Sequence, residues 1–409
     1  MSVLGLDEAS IVPALQRVRG AAADDADALR ECVARVAWHV IAEPGDGVAG
    51  ALIGALGPVA PLTALLAGRD ARSITAEVAA AVGAVEDSPG ERIAAAIERW
   101  RPRLLSRDVI HAIELAARVQ AALVLPSDAT WPTRMDDLGE HAPFLLWWRG
   151  PLEPSVGTER AIAIVGSRAA TGYGRDVAAE LSGGLVERGV AIVSGAAYGI
   201  DAMAHRAALA GEGDTVAYLA GGVDRFYPSG NDDLLATIVG RGAVVSEVPC
   251  GTAPTSWRFL SRNRLIAAGS AATIVVEAGR RSGSNNTAAH AGELGRPVGA
   301  VPGPVTSPAS AGCHRLMREF DAVCITSAAD AAELIDGPAE DEPGRSGPRD
   351  ESEVRVLDAL STRSGRDVLD LARRSGLATA DVLGALGTLE LEGAVRQGVS
   401  GWLAVPRRG

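Results

Sequence analysis

Residues 161–195 read AIAIVGSRAATGYGRDVAAELSGGLVERGVAIVSG, an apolar run ending in Gly-Ser, a helix-period segment and a second apolar run ending in Ser-Gly. Continuous apolar runs joined by helices are typical of parallel strands that are covered on both faces. Six such runs follow one another: AIAIVGS (161–167), VAIVSG (190–195), TVAYLAGG (215–222), AVVSE (243–247), TIVVEAG (273–279) and PVGAVPG (297–303). They predict a doubly wound, mostly parallel α/β sheet, which binds ligands at the carboxyl ends of its strands.

The segments on either side of this alternation have different patterns. The first 108 residues are alanine-rich with helical periodicity, and no strand pattern stands out there. A Pro/Gly-rich, charged stretch follows the sheet region, and the remaining residues show two helices, a Gly-Leu turn, a third helix and a short hairpin. We therefore predict a helical domain (1–108), an α/β domain (109–335), a flexible linker (336–353) and a winged helix (354–409).

The overall charge excludes one class of DNA-binding protein. The 409-residue chain has a net charge of −12, and all 39 basic residues are arginines. Such a molecule is not a polycation that coats nucleic acid, so a nucleic-acid site requires a local basic patch.

Cysteine spacing and hydropathy restrict the class further. Cys32, Cys250, Cys313 and Cys324 lie far apart without a CxxC pair, which argues against disulfides and a structural metal and favours buried, reduced thiols. The N-terminus has no apolar signal core, and no run approaches the roughly 18–20 apolar residues of a membrane span. The sequence predicts a soluble, cytoplasmic protein without membrane contact.

The turn after the first strand contains Gly166, Ser167 and Arg168. Glycine lets the backbone approach an anion, the following helix offers N–H donors, and arginine pairs bidentately with phosphate. The segment lacks G-x-G-x-x-G, and the second strand does not end in an acid, so NAD and FAD are disfavoured and we predict no cofactor. A surface arginine beside structural glycines is the alternative interpretation.

Two later turns hold polar and aromatic candidates. Asp201 is predicted to cap its helix, and His205, four residues later, shares its face, so an orienting hydrogen bond between them is favoured over acid–base chemistry. Tyr227 either stacks on a base or plugs its loop onto the sheet, and the second interpretation is favoured. Glu277, at the end of its strand, is either a catalytic acid or an ion-pair partner of an arginine, and the second interpretation is favoured.

The most informative stretch is 254–296, where six arginines face only two glutamates, a local charge of +4. Interleaved arginine and aromatic residues are typical of single-stranded nucleic-acid grooves. The candidate DNA-binding residues are Gly166, Ser167, Arg168, Arg258, Phe259, Arg262, Asn263, Arg264, Ser282, Gly283 and Ser284. Because strand ends gather on one edge of the sheet, we predict that Arg168, Arg262 and Arg264 share one phosphate-tracking groove. A solvated charged face and helix capping by the Ser-Gly-Ser turn are the alternatives.

Together these motifs resemble the DprA/Smf family of DNA-processing proteins. The resemblance covers nearly the whole chain and is densest over 161–303. It rests on WP..M.DL (131–138), GSR (166–168), SGAAYGID..AH (194–205), GG...FYP..N (221–231), SE.P (246–249), F..RNR.I (259–266), Glu277, SGS..TA (282–288) and G.P...VPG (295–303).

The resemblance implies a sterile-alpha-motif-like N-terminal domain, an extended Rossmann domain and a winged-helix tail. It also implies a homodimer that binds single-stranded DNA, protects incoming DNA and loads RecA onto DNA coated with single-strand-binding protein in transformation. No catalysis is attributed to the family, so no catalytic residue is predicted. The match places Gly166, Ser167 and Arg168 at the phosphate-contacting turn, and Arg262, Asn263 and Arg264 in the basic element.

Two functions from other classes are weighed against this one. A nucleotide hydrolase that cleaves N-glycosidic bonds would carry a PGG-x-GT-x-x-E loop, but Pro302-Gly303-Pro304 lacks the second glycine and the acid. A transcription factor would read DNA with the third helix of its winged helix, yet the segment ATADVLGALGTLELEG has three acids and no arginine. This composition favours a protein contact for the tail.

Overall fold

The computed structural model describes residues 2–3, 6–20, 25–82, 89–153, 160–337, 350–398 and 400–405. Most of the predicted linker, residues 338–349, lies outside the described residues. The chain divides into two compact units, Met1–Ile335 and Asp336–Gly409, which are described separately.

The N-terminal region is helical, as predicted. Its helices are α1 (Glu8–Arg19), α2 (Ala26–Ile41), α3 (Gly47–Leu56), α4 (Val59–Leu66), α5 (Ala71–Val82), α6 (Pro89–Trp100) and α7 (Ser106–Arg118). Two strands that the sequence analysis missed, β1 (Ser2–Val3) and β2 (Leu6–Asp7), pair antiparallel before α1. Two-residue strands are too short to produce a periodic pattern.

The helical region has no core of its own. Buried side chains of α1 to α7, such as Trp38 and Ile113, belong to the same apolar cluster as Leu209 and Leu235, which lie in the sheet domain. The predicted boundary at residue 108 falls inside the first turn of α7. The subdivision of the first unit stays a prediction.

A nine-stranded sheet forms the centre of the first unit. Its strands, in spatial order, are β11 (Val323–Cys324), β10 (Val298–Ala300), β9 (Ala272–Val275), β5 (Ala161–Val165), β6 (Ala191–Ser194), β7 (Thr215–Tyr218), β8 (Ala243–Ser246), β4 (Leu146–Arg149) and β3 (Ala122–Val124). Pairing is parallel from β11 to β8, and the last two strands add antiparallel. The predicted mostly parallel α/β fold is confirmed.

Helices cover both faces of the sheet. They are α8 (Gly172–Val186), α9 (Ile200–Ala210), α10 (Asp232–Arg241), α11 (Ser256–Ala268), α12 (Ser284–Glu293), α13 (Ala311–Glu319) and α14 (Ala328–Asp336). Side chains alternate along β5: Ile162 and Ile164 join the cluster of α8 and α9, whereas Ala161 and Ala163 join that of α11. The continuous apolar runs therefore reflect burial on both faces.

The second unit is a small helical module with a hairpin. It comprises α15 (Glu351–Ala359), α16 (Val368–Ser375), α17 (Thr379–Leu391) and the antiparallel strands β12 (Val395–Gly398) and β13 (Gly401–Ala404). Gly376 ends α16 with φ of 69°, a left-handed conformation that favours glycine. The element order confirms the predicted winged helix.

Among the described residues no single helix is long and apolar enough to cross a membrane; α3 and α4 pass on length and composition only as a pair bent by 112°.

Candidate nucleic-acid interface

A groove of the first unit lies where the strand order of the sheet reverses. Strand β5 is flanked by β6 on one side and by β9 on the other, and Val165 pairs with Val275 at their carboxyl ends. This crevice is where doubly wound sheets bind ligands. It opens into a groove of about 790 Å³ whose lining includes Gly166, Ser167, Arg168, Ala197, Asp201, Phe259, Leu260, Arg262, Asn263, Arg281, Ser282, Gly283, Ser284 and Thr287.

Close packing fixes the turn after β5. A Cβ on Gly166 would lie 2.6 Å from Ile200 Cγ1 and 2.9 Å from the carbonyl oxygen of Glu277. Gly199 has φ of +80°, and a Cβ there would lie 2.2 Å from the Ser167 carbonyl oxygen. Both positions therefore require glycine, and Ser167 and Arg168 are presented on a rigid turn.

Glu277 binds the loop after β5 at Thr171 and does not form the predicted ion pair with any residue that the structure describes. The Thr171 backbone N–H and hydroxyl donate to its carboxylate at 2.9 and 2.6 Å. Glu277 is buried, and among the described residues no arginine pairs with it, so the predicted ion pair is wrong. Thr171 also caps α8, and this places its hydroxyl within reach of the strand end at Glu277.

The exposed cations of the groove are Arg168 and Arg281. The guanidinium carbon of Arg168 lies 5.0 Å from the ring centroid of Phe259, in cation–π contact. No hydrogen bond or ion pair is found between the Arg281 side chain and another residue that the structure describes. Arg281 was not among the predicted DNA-binding residues, although its position next to the Ser-Gly-Ser turn after β9 indicates this role.

Arg262 lines the same groove from within. Its side chain is 6% exposed, and Nη1 donates to the carbonyl oxygens of Gly195 at 2.8 Å and Tyr218 at 2.5 Å. Burial lowers the pKa of Arg262 to about 10, against the opposing effect of the Asp201 carboxylate. The side chain therefore stays charged at neutral pH while its Nη1 is used to hold two strand-end loops together.

Asp201 stabilises one of these loops. It accepts hydrogen bonds from the backbone N–H groups of Gly195 at 3.2 Å and Ala197 at 3.3 Å. Burial raises its pKa, and Arg262 and the backbone donors act in the opposite direction. Asp201 is in the first turn of α9, near the helix start as predicted, but its carboxylate fastens the preceding loop, so its prediction as a cap of its own helix is wrong.

The predicted contact between Asp201 and His205 is also wrong. His205 Nδ1 instead pairs at 2.6 Å with the hydroxyl of Thr215, a buried residue at the start of β7. Burial lowers the pKa of His205 to about 3, so the ring is neutral at physiological pH. The helical spacing was correct, but the histidine points toward the sheet.

Arg258 and Arg264 are held by acids outside the groove lining. Arg258 pairs with Glu43 at 3.2 Å, and Arg264 forms a buried ion pair with Glu247. Arg264 lines a second groove of about 600 Å³ on the other side of α11. Of the three arginines predicted to share one groove, the structure thus brings Arg168 and Arg262 together and places Arg264 behind the helix.

The Ser-Gly-Ser turn forms the opposite wall. Asn263 Nδ2 donates to the Gly283 carbonyl oxygen at 3.3 Å and ties the turn to α11. The hydroxyls of Ser282 and Ser284 lie 2.7 Å apart, and the Ser282 hydroxyl also accepts the Ser284 N–H at 3.4 Å. The first N–H groups of α12 already donate to oxygens within the turn, so the hydroxyl groups of the turn are what it offers to a phosphate.

Tyr227 does not plug its loop. Its side chain is 47% exposed, and its ring centroid lies 5.4 Å from that of Phe259. The expectation that it packs onto the sheet is wrong because Phe259, at the start of α11, occupies the inner position.

The cysteines are free, and three are buried as predicted, whereas Cys324 is exposed on the edge strand β11. Within the part of the chain that the structure describes, no group of three or more His, Cys, Asp or Glu side chains is arranged to hold a metal ion.

Comparison with known proteins identifies the family. The model for "DNA recombination-mediator protein A" matches residues 122–336, and the DprA winged helix domain matches residues 339–400. A putative DNA processing protein DprA of Mycobacterium tuberculosis is 48% identical over 298 residues, which are 69% of this chain and 76% of that protein. Protein Smf of Escherichia coli is 35% identical, covering 60% of this chain and 68% of its own. The X-ray structure of DNA processing protein A from Streptococcus pneumoniae matches with a TM-score of 0.53 and 32% identity, over 64% of this chain and 85% of that one. The chain belongs to the DNA recombination-mediator protein A family.

Proposed function

We propose that this protein binds single-stranded DNA in the groove at the carboxyl ends of β5 and β9 without catalysing a reaction on it. The observation that carries the proposal is the pair of exposed arginines that line the groove, Arg168 in cation–π contact with Phe259 and Arg281 next to the Ser-Gly-Ser turn. Cations follow a phosphate backbone, and an aromatic ring stacks on any base.

The remaining predicted residues have a supporting part in this proposal. Arg262 and Arg264 are buried and bound to internal partners, so we assign Arg262 to the shape of the groove and Arg264 to the packing behind α11. Backbone and hydroxyl groups in the two turns are offered to phosphate oxygens; these residues are Gly166, Ser167, Ser282, Gly283 and Ser284.

The engagement of the nearby carboxylates favours binding over hydrolysis. Asp201 accepts two backbone N–H groups, and Glu277 accepts both donors of Thr171. A glycosidic hydrolase needs a carboxylate that can reach the sugar. Incubation with nucleoside monophosphates should release no free base above a boiled control; release that is lost in Glu277→Gln or Asp201→Asn would establish the hydrolase instead.

We propose that the protein acts in the cytoplasm as a homodimer that protects incoming DNA. In this role it loads RecA onto DNA that is coated with single-strand-binding protein. Membership of a recombination-mediator family supports this role. The tail is assigned a protein contact, since α17 has exposed Leu383 and Leu391 and carries acids. Light scattering and RecA-filament assembly with and without the protein test these partners.

The test of DNA binding is fluorescence anisotropy with single- and double-stranded oligonucleotides of equal length at two salt concentrations. We expect tighter, salt-dependent binding of the single strand, weakened in Arg168→Ala. Equal affinity for both forms, or no effect of Arg168→Ala in a folded variant, would contradict the proposal.

A further inference from the structure

We propose that Tyr227 is a base-stacking residue that extends the DNA site beyond Phe259; this inference rests on the proposed binding of single-stranded DNA. Tyr227 lies in the loop after β7, two strands from β5, and does not line the groove itself. The bound DNA strand would thus pass from the phosphate-binding turn at Arg168 across Phe259 and onto Tyr227.

Ring contacts connect these three side chains. The Phe259 centroid lies 5.0 Å from the Arg168 guanidinium carbon and 5.4 Å from the Tyr227 centroid, with the two rings inclined by 51°. Phe259 is half-buried, whereas Tyr227 and Arg168 are exposed. The two rings therefore form one aromatic surface next to Arg168, and the Tyr227 ring is its solvent-exposed part.

The other exposed tyrosines hold structural hydrogen bonds that Tyr227 lacks. Tyr173, Tyr198 and Tyr227 are 45%, 46% and 47% exposed. The Tyr173 hydroxyl donates to the Pro302 carbonyl oxygen at 2.6 Å, and the Tyr198 hydroxyl accepts the Gly230 N–H at 3.2 Å. For the Tyr227 hydroxyl no partner is found among the described residues. Its exposed ring is therefore available to a ligand.

The loop that carries Tyr227 is firmly anchored on both sides. Before it, Asp224 accepts the Gly251 N–H at 2.9 Å, and Gly222 donates to the Thr252 carbonyl oxygen at 3.0 Å. After it, the buried Asn231 side chain donates to the Ala196 carbonyl oxygen at 3.0 Å. A fixed backbone presents the ring at little entropic cost on binding.

The chemistry of the ring selects a nucleobase as its ligand. The Tyr227 ring contacts a phenyl ring and has no cationic group, so it offers a stacking plane to a base and no cation to a phosphate. Stacking of one base on an aromatic side chain is worth about tenfold or more in affinity and tolerates any base. We expect Tyr227 to add affinity without reading sequence.

The test compares Tyr227→Leu, Tyr227→Phe and the matched control Tyr173→Leu, using one single-stranded oligonucleotide and an abasic oligonucleotide of equal length. Tyr227→Leu should bind the base-bearing strand about tenfold more weakly. Its affinity for the abasic strand and its salt dependence should match those of wild type. Tyr227→Phe and Tyr173→Leu should bind like wild type.

Wild-type binding by folded Tyr227→Leu, or an equal loss on both strands, would overturn the inference. Arg168→Ala distinguishes a failure of this inference from a failure of the proposed DNA binding. If the protein binds single-stranded DNA in the groove, Arg168→Ala should still lower the affinity for both the base-bearing and the abasic oligonucleotide. Photocrosslinking of wild-type protein to a 5-iodouracil strand needs no variant: we expect an adduct on Tyr227. An adduct on Trp257, the exposed aromatic beside the second groove, with none on Tyr227 would also overturn it.

Discussion

Two sets of arginines lie in and near the candidate DNA groove, and they differ in burial and in their bonding partners. Arg262 and Arg264 lie inside the protein, where their side chains bind loop carbonyl oxygens or Glu247. Arg168 and Arg281 lie at the rim and are exposed. Arg262 holds two loops of the groove together and Arg264 is tied to Glu247 behind α11, whereas the rim arginines present their charge to solvent.

Most of the arginines in the basic stretch 254–296 are paired with acids or buried. Of its six arginines, Arg258, Arg264 and Arg296 pair with acids, and Arg262 is buried, which leaves Arg280 and Arg281 exposed. The charge that reaches solvent is smaller than a count along the sequence indicates. Because an ion pair cancels most of the field at a distance, the rim decides electrostatic attraction.

The largest expected effect is on the interior set. Arg262→Ala removes the donor to the Gly195 and Tyr218 carbonyl oxygens and leaves the buried Asp201 without its nearby cation. Unsatisfied buried groups of this kind cost about 3 kcal/mol of the free energy of unfolding. Urea unfolding measures this loss.

Arg281→Ala is the matched rim control and should leave the unfolding midpoint unchanged. Equal stability of Arg262→Ala and Arg281→Ala would remove the distinction between the two sets.

A second effect concerns pH and the interior near Arg262. Burial, followed by the charges of Arg262 and Arg206, lowers the pKa of folded His205 to about 3, below its value of about 6.5 when unfolded. As pH falls below 6.5, the unfolded chain binds a proton that the folded chain does not. At pH 5 this costs about 2 kcal/mol of stability relative to pH 7.

Urea unfolding at both pH values should show a smaller difference for His205→Gln, while Arg168→Ala keeps the wild-type difference. An unchanged difference in His205→Gln would show that the ring is not held neutral. His39, whose pKa burial also lowers to about 3, contributes in the same direction and remains in both proteins.

The smallest effect is expected from removing the second unit. A chain that ends at Gly337 keeps the whole rim, and the acids in α17 make that helix a poor match for DNA. Its affinity for single-stranded DNA should stay within a few-fold of that of the full chain. A decrease of roughly a hundredfold or more would place the main DNA site in the winged helix.

The sheet was predictable from the sequence because buried parallel strands leave continuous apolar runs, and the turn at Gly166 followed from the end of the first run. Whether each arginine is buried or exposed could not be predicted from the sequence. Arg262 is buried because Gly195 and Tyr218, 67 and 44 residues away, place carbonyl oxygens around it. Such distant partners leave no local pattern, and the same holds for Glu277 and Thr171.

The salt dependence of single-strand binding tests the central claim most directly, in wild type, Arg168→Ala, Arg281→Ala and Arg280→Ala. Arg280 is the control, since it is exposed next to Arg281 but does not line the groove. Removing one arginine that neutralises a phosphate lowers the log–log slope by roughly 0.7. We predict that decrease for Arg168→Ala and Arg281→Ala and the wild-type slope for Arg280→Ala. Wild-type slopes and affinities in all three folded variants would contradict the assignment of the groove.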